Sequence, residues 1–565
     1  LIYLMQNHLI FIFYLLFFLF SIVGHGLIFN KLILNKKKET NLGYTGILGI
    51  FSISILSLLS SLFLAHGFIH NFLIHGLGLL FFFKFFFENK NINNLRNLIF
   101  IFFVFIIGIY IFKNHDDFPY YHLTYALNLV ENKFIIGSGA FGHGFRTPST
   151  LFFFHSTLYL PGIEYFLFNS AGFYVLIFFN FIILEKILNS FLKKNYDLSY
   201  YFSLLIFSYV NIIFYRLAEY GVDKISQILF FLILLQFLEL KKINKNNFKS
   251  QIIDKINYIL IFIVFASSIK SIYLIYFLLV PILYFNTIKI KKIIFINKKT
   301  IFILFFIVFL NQFMSFLSTG CFLYPEKSSC IEKVKWSIPK SEVMTLKTHY
   351  SWWSKSGGGP NYSVDVPKEE YIKNFNWTKN WIDNYFFNKV SDNLLGLVLL
   401  NLIFILFFFS KKRKKIKLTD YKQIYFIILI FFLVWFFNHP ALRYGGYVLI
   451  AAPILLLCSQ YLASIDLNKK SIKNKSIYLI ILTILIFNLK NFNRINKEIK
   501  VYKYPIKENP FFRVLKTNYY NPIKFNGLKI YANKDQMCWA TPTPCTYNPN
   551  LIIYKKFSFF IVKKK

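Results

Sequence analysis

NLIFIFFVFIIGIYIFKNHDDFPYYH, residues 97–122, runs from an apolar block straight into two adjacent carboxylates, Asp116 and Asp117. An apolar block of this kind is read as a membrane-crossing helix, because about 20 apolar residues match the hydrocarbon thickness of a bilayer. Outward from 97–113, similar blocks lie at 3–29, 43–65, 72–87, 172–189, 200–217, 224–240, 257–269, 271–286, 300–318, 393–410, 421–437, 443–462 and 475–490. The chain is therefore expected to be an all-α polytopic membrane protein with about fourteen transmembrane helices. Its 565 residues are 56% hydrophobic and 21% aromatic, with 74 Phe, and only 16% are charged, against about 25% in an average soluble protein. These values exclude disordered, collagenous and small disulfide-stapled classes. The net charge of +39 comes from 64 Lys+Arg against 25 Asp+Glu. On a soluble chain it would point to nucleic acid. Here the excess is almost all Lys beside abundant Ile, Asn, Phe and Tyr, so the expected partner is the lipid bilayer and not nucleic acid.

Charge placement orients the blocks. Lys36, Lys37 and Lys38 are followed by an uncharged turn at 66–71 and then by Lys90 and Arg96. The basic connections belong on the cytoplasmic side. The same rule puts 193–194, 241–255, 289–299, 411–417 and 469–475 there, and both termini outside. Alternation requires the run 256–286 to turn near 267–271. The apolar stretch 151–169 would break the alternation as a span and is expected to be an interfacial or re-entrant helix. The first block is too long for a cleavable signal and lacks a basic leader, so it is expected to stay as an anchor. The resulting divisions are 1–88, an N-terminal membrane extension of about three spans; 89–318, a membrane core with the acidic outer loop 114–171; 319–392, a long extracytoplasmic loop; 393–490, the last membrane helices; and 491–565, a small, loop-rich extracytoplasmic tail.

The distinctive chemistry collects in the outward segments. Cys321 and Cys330 share the long loop, Cys538 and Cys545 share the tail, and Cys458 stands alone in an apolar block. Two local pairs suit disulfides in an oxidising compartment, and local closure is the favoured one of three pairings. Structural zinc is the rival, although neither pair has the usual two-to-four-residue ligand spacing. Arginine is scarce, and Arg146, Arg216 and Arg443 each fall at an outer boundary, where guanidinium groups bind lipid phosphate through paired donors. Lys270, in the turn Ser-Ile-Lys-Ser, joins them as a fourth candidate, with snorkelling as its ordinary alternative. The ordinary alternative for the arginines is an ion pair with Glu219 or Asp223, or contact with bulk headgroups. Trp352 and Trp353 stand in the long loop near Gly357, Gly358 and Gly359. Indole faces suit sugar rings, while an interfacial belt is the commoner role of Trp.

Asp116 and Asp117, followed by Pro119 and Tyr120, place two carboxylates at the membrane surface. Their repulsion raises at least one pKa and provides a proton acceptor for a hydroxyl, although Asp before Pro is also ordinary turn chemistry. With Thr319-Gly320-Cys321-Phe322-Leu323-Tyr324-Pro325 and with Arg443-Tyr444 entering a span that holds Pro453, the motif resembles the GT-C superfamily of polytopic glycosyltransferases. The likeness is to its protein O-mannosyltransferase and lipid A aminoarabinose transferase branch, and more closely to bacterial multi-span membrane proteins with the same acidic loop. Asp117 stands where the family has Glu, Cys321-Phe322 stands for Asn-Pro, and about three additional spans, in 1–88, precede the span that leads into the acidic loop.

The resemblance implies transfer of a sugar from a polyprenyl-phosphate donor to a glycan, lipid or protein acceptor, with inversion. The site would face the outside of a bacterial cytoplasmic membrane. Asp116 would be the general base with Asp117 beside it, and Arg443, then Arg146, Arg216 and Lys270, would bind the donor phosphate. His115, Tyr120, His122, Tyr324, Tyr444, Trp352 and Trp353 would contact substrate. His143 is a further loop candidate. Some members of the superfamily bind a divalent metal and others do not, so cofactor use stays open. The alternatives are a transporter or flippase of lipid-linked saccharides, which predicts repeats and midplane polar residues, and an O-antigen ligase or polymerase, which does not predict an acidic pair opening an outer loop.

Overall fold

The computed structural model describes residues 2–35, 41–89, 92–110, 117–216, 222–242, 249–286, 298–357, 366–413, 421–503, 505–506, 508–510, 522–525, 527–532, 542–546 and 550–565. Among these residues, nine helices are long and apolar enough to cross a membrane, from Gln6–Leu32 to Lys469–Tyr502, and four shorter apolar helices accompany them. The chain is a polytopic, mainly helical membrane protein. Four of the fourteen expected spans correspond to these shorter helices. Leu198–Ile213 has 16 residues, which rise only about 24 Å against a hydrocarbon core of about 30 Å.

Small residues set the packing at the N-terminus. The helix Ile2–Leu32 lies against both Leu42–Ser61 and Phe68–Asn89. A Cβ on Gly24 would come 1.8 Å from the Gly78 carbonyl oxygen, one on Gly26 1.8 Å from that of Thr45, and one on Gly49 1.8 Å from that of Ile22. Lipid tails are as apolar as leucine, so helices in a bilayer gain little from burying apolar surface and depend on such close approach. Polar pairs add to it. Asn41 donates to Glu185 and Gln236 to Tyr44, tying these helices to Ala171–Lys193 and Asp223–Leu240. Asn180 and Asn211 exchange amide hydrogen bonds of 3.0 and 2.8 Å within the bundle.

The N-terminal helices also position the acidic loop. In the turn between the second and third, His66 N–H donates to Leu129 O, and Phe134 N–H donates to Ser61 O, both at 2.7 Å. The Asn71 amide donates to the carbonyls of His66, Ser156 and Tyr159. Of the two forms expected for 151–169, full burial disfavours the interfacial helix and leaves the re-entrant one. Thr150–Thr157 is helical with all eight residues buried, and turns follow to Ser170. An interfacial helix keeps one face in lipid or water; this one is sealed against Leu42–Ser61.

The tail differs from a loop-rich module in two ways. The last long helix continues to Tyr502 because Asn491, Arg494 and Glu498 give it a buried polar face. Two antiparallel hairpins follow, Pro522–Phe525 with Leu528–Ala532 and Leu551–Lys556 with Phe559–Lys564, and Cys545–Thr546 runs parallel to Leu528–Ala532. The final strand docks on the acidic loop, where Ile136 N–H donates to Phe560 O at 3.0 Å and Val562 N–H donates to Ile136 O at 2.9 Å. Gly137 permits this passage: its φ is +74°, and a Cβ there would lie 2.0 Å from Val562 O.

Gly26→Val should weaken the fold by about 1–3 kcal/mol, as overpacking does in a close-packed interior. The check is the midpoint of heat-induced unfolding in detergent, with Gly396→Ala, which meets nothing within 4 Å, as a neutral control. Equal midpoints for the two variants would refute the close helix contact.

Candidate functional site

Four charged residues meet where helices begin or change pitch. Asp117 immediately precedes a π-helical turn, Phe118–His122, in which Pro119 lacks an N–H. Asp223 opens the helix Asp223–Leu240. Lys270 separates the α-helix Lys249–Ile269 from a 3-10 helix, Ser271–Leu279. Arg443 lies in the 3-10 turn Leu442–Tyr444, and Gly445, at φ +106°, redirects the chain into Gly446–Ser464. Irregular helical turns recur at functional sites because they aim side chains that a regular helix would not.

The charges alternate along a chain of ion pairs. Arg443 Nη2 donates to Asp117 Oδ2 at 2.5 Å, and Nε donates to Asp223 Oδ2 at 3.3 Å. Lys270 Nζ donates to Asp223 Oδ1 at 2.6 Å and lies 4.5 Å over the Tyr444 ring, which Arg443 also faces at 5.4 Å. Asp223 is deep, with 6% of its side chain accessible, whereas Asp117, Arg443 and Lys270 keep 24%, 29% and 31%. Asp223 is thus sealed beneath three charged side chains that remain partly open. Burial opposes the Arg443 charge, but Asp117, Tyr444 and Asp223 outweigh it and hold its pKa well above the usual value. The backbone is braced as well: Tyr273 Oη donates to Asp223 O at 3.1 Å, Gln227 Nε2 donates to Arg443 O at 3.0 Å, and Leu442 N–H donates to Tyr385 Oη at 2.8 Å.

A ring of aromatic side chains adjoins Asp117. The His143 imidazole stands 6.1 Å from the Tyr120 ring, 6.4 Å from Tyr121 and 5.2 Å from Tyr350, and its Nδ1 is 2.8 Å from Tyr350 Oη. Burial lowers its pKa, and Arg146 and His349 add to that, to about 4, so the ring is neutral at pH 7. Tyr120, Phe141, His143, Phe145 and Cys545 of the tail line a small cavity here. His122 is buried, its ring 4.4 Å from Tyr121 and 4.9 Å from Phe152.

The other expected residues lie elsewhere. Arg146 is buried; it donates to Gly139 O at 3.0 Å, to Tyr324 Oη at 3.3 Å and to Glu342 Oε1 at 2.6 Å. Lys564 Nζ holds both oxygens of the same Glu342 at 2.7 Å, so Arg146 and Tyr324 join the loop to the tail. Arg216 pairs with Glu498 at 3.5 Å, a carboxylate shared with Arg494 at 3.2 Å. Among the described residues the three arginines pair with three different carboxylates, and Arg443 is the one bonded to Asp117. Trp352 and Trp353 are half-buried on the helix Lys340–Lys355, with Lys368 over the Trp352 ring at 4.7 Å. Cys321 and Cys330 form a disulfide, Cys545 is also disulfide-bonded, and Cys458 is free and buried. His115, Asp116 and Cys538, like Gly358 and Gly359, lie outside the described residues. Among the described residues no group of three or more His, Cys, Asp or Glu is arranged to hold a metal ion. Sequence reasoning treated Asp223 only as a possible arginine partner. Its signal was an acidic residue directly before an apolar block in a chain with few acids.

Fold and site define a polytopic membrane protein with a charged, tyrosine-rimmed cluster built from its acidic loop and three helix ends. The chain belongs to the family described as Domain of unknown function (DUF8201), whose model matches residues 8–450. That match includes the N-terminal helices and all four charges of the cluster. No curated protein and no solved structure matches the chain.

Arg443→Gln leaves Asp117 and Asp223 without their shared cation. Removing one partner of a buried pair costs about 3–5 kcal/mol, and the accessibility of Arg443 places the loss toward the lower end. It should appear as a reduced unfolding midpoint in detergent, partly restored by Arg443→Lys. Glu342 titrates differently. Burial raises its pKa, but Lys564 and Arg146 outweigh this and hold it below the ordinary value. The stabilisation is complete above the unfolded carboxyl pKa of about 4.3 and is lost as pH falls through the lower folded value. Proteolysis of the tail should therefore accelerate only below about pH 4, and Lys564→Met should move that onset to higher pH.

Proposed function

We propose that this protein is an integral-membrane glycosyltransferase of the GT-C type, with fourteen spans. It moves a sugar from a polyprenyl-phosphate donor to an envelope lipid, glycan or protein acceptor at the outer face of a bacterial cytoplasmic membrane. The observation that carries this reading is the ion pair between Asp117 and Arg443. It joins the acidic motif that opens the loop 114–171 to the Arg-Tyr entry of a late helix across 326 positions of sequence. A phosphate leaving group needs fixed cations, and Arg443 and Lys270 provide two on one side of the acidic loop.

In this reading Asp116 takes the proton of the attacking hydroxyl. The acceptor oxygen bonds to the anomeric carbon from the face opposite the phosphate, the carbon–phosphate oxygen bond breaks, and Arg443 and Lys270 receive the phosphate charge. Asp117, already ion-paired with Arg443, orients the guanidinium. The tyrosines around His143 offer ring faces and hydroxyls to a sugar.

The test is mass spectrometry of envelope lipids, glycans and glycoproteins from cells carrying wild type, Asp116→Asn or Asp117→Asn at matched protein levels. A positioned general base contributes about 10²–10⁴-fold, so Asp116→Asn should remove one defined sugar increment and leave its lipid-linked donor to accumulate. Asp117→Asn should reduce the same increment less. Unchanged glycans in both variants would exclude transfer and favour transport of a lipid-linked saccharide.

A further inference from the structure

The segment after Lys270 has an unusual conformation for a membrane protein's apolar helix. Nine consecutive residues, Ser271–Leu279, are in 3-10 geometry before the chain becomes α-helical at Val280–Asn286. Tyr273 N–H donates to Lys270 O at 3.0 Å, which closes the first tight turn. Runs of 3-10 helix beyond three or four residues are uncommon, because their hydrogen bonds are poorer and side chains at i and i+3 eclipse. What supports this run is visible in its burial. Tyr273, Tyr276, Leu279 and Ile282 are buried, at a spacing of three, while Ser271 and Leu278 are exposed. Tyr276 packs on Phe230 at 4.9 Å and on Phe431 at 5.8 Å.

The same sequence offers a second stripe at α-helical spacing: Ile272, Tyr276, Leu279 and Leu283. Tyr276, Leu279 and the residues after Val280 serve both stripes. The difference is confined to the N-terminal turns, where Ile272 would replace Tyr273. Every residue from Ile272 to Leu279 except the two tyrosines is aliphatic or Phe, so rewinding exposes no charged group to lipid. At the N-terminal end the 3-10 form is held by polar contacts to one residue. Lys270 Nζ pairs with Asp223 Oδ1 at 2.6 Å, and Tyr273 Oη donates to Asp223 O at 3.1 Å. An anion that competes for Lys270 removes the first of these contacts.

We propose that Ser271–Leu279 is a rewinding hinge, and that its conversion from 3-10 to α-helix draws Lys270 off Asp223 and opens the Arg443–Asp223 pair to a phosphate headgroup. The rise falls from about 2.0 to about 1.5 Å per residue. With Leu279 held in the core, nine residues shorten by about 4–5 Å and turn by about half a revolution. Lys270 then leaves Asp223, Tyr273 leaves the carbonyl it holds, and Arg443 keeps a carboxylate whose second cation is gone. Two packings of one segment that share most of their contacts form a bistable element, which a ligand biases by its differential affinity. The role of phosphate rests on the glycosyltransferase reading; the hinge does not.

Nitroxide labels on Ser271→Cys and Leu278→Cys, in a Cys458→Ala background, read the state directly. Seven residues separate the labels by about 14 Å along a 3-10 helix and about 10–11 Å along an α-helix, a difference visible as dipolar broadening. The protein is reconstituted in phosphatidylcholine nanodiscs with no addition, with decaprenyl phosphate, or with phosphatidylglycerol. The labels should sit near 14 Å without addition and shorten with decaprenyl phosphate. Shortening with phosphatidylglycerol alone would assign the headgroup to bulk lipid and overturn the carrier. Three variants need no ligand: Lys270→Met should shorten the separation by itself, Tyr273→Phe should do so partly, and Lys270→Arg should not. Shortening in Lys270→Met without any response to decaprenyl phosphate would sustain the hinge and sink the lipid-phosphate reading. A separation that stays near 14 Å in Lys270→Met, in Tyr273→Phe and with lipid phosphate would overturn the hinge.

Discussion

A buried carboxylate must find positive partners, and Asp223 finds two. Its oxygens divide between Lys270 and Arg443, and its backbone carbonyl accepts from Tyr273. An unpaired charge at that depth would cost several kcal/mol, so this one residue constrains three chain segments that are far apart in sequence. Arg443 then extends the constraint to Asp117, and through it to the π-helical turn and the acidic loop. The cluster carries no net charge, which makes it stable without a ligand. It also means that an anion binds only by exchanging with a carboxylate or by separating a pair. A neutral, strongly coupled cluster of this kind is suited to switching, because loosening one ion pair changes the field at the next.

The scaffold around the cluster is held by contacts that apolar burial alone does not provide. In the N-terminal helices the backbones touch at Gly24, Gly26 and Gly49, and the turn at 62–67 is bonded to the acidic loop through Leu129 and Phe134. The tail grips the same loop from the other side, by strand pairing at Ile136 and by the Lys564–Glu342–Arg146 bridge. The loop that bears Asp117 is therefore clamped between the first helices and the last strand. The family match begins at residue 8 and ends at 450, so the N-terminal half of this clamp belongs to the matched region and the tail lies beyond it.

Sequence reading was strongest where a property is local. Apolar length shows as membrane helices, and the Cys321–Cys330 closure follows from proximity along the chain. It was weaker where a residue's role depends on what comes to meet it. Arg146, Arg216 and Arg443 share a residue type and a boundary position, yet they pair with Glu342, Glu498 and Asp117 in separate groups. Trp377 and Trp381, in the same long loop as Trp352 and Trp353, are buried, and the Trp381 indole donates to Pro440 O beside the Arg443 turn. His143 was one loop histidine among several. Its place among Tyr120, Tyr121 and Tyr350 depends on a helix about 200 positions away.

The sequence by itself determined that this is a polytopic membrane protein with a close cysteine pair in its long loop and an acidic motif directly after an apolar block. Those properties follow from runs of adjacent residues, whose hydropathy and spacing act over one or two turns of chain. Tertiary structure alone decided that Asp117, Asp223, Lys270 and Arg443 form one cluster, that Arg146 and Arg216 pair with Glu342 and Glu498, and that the segment after Lys270 is wound as a 3-10 helix. Ion pairing depends on distance in space, and the pitch of an apolar helix depends on which of two stripes its neighbours bury. Neither is encoded within the segment itself.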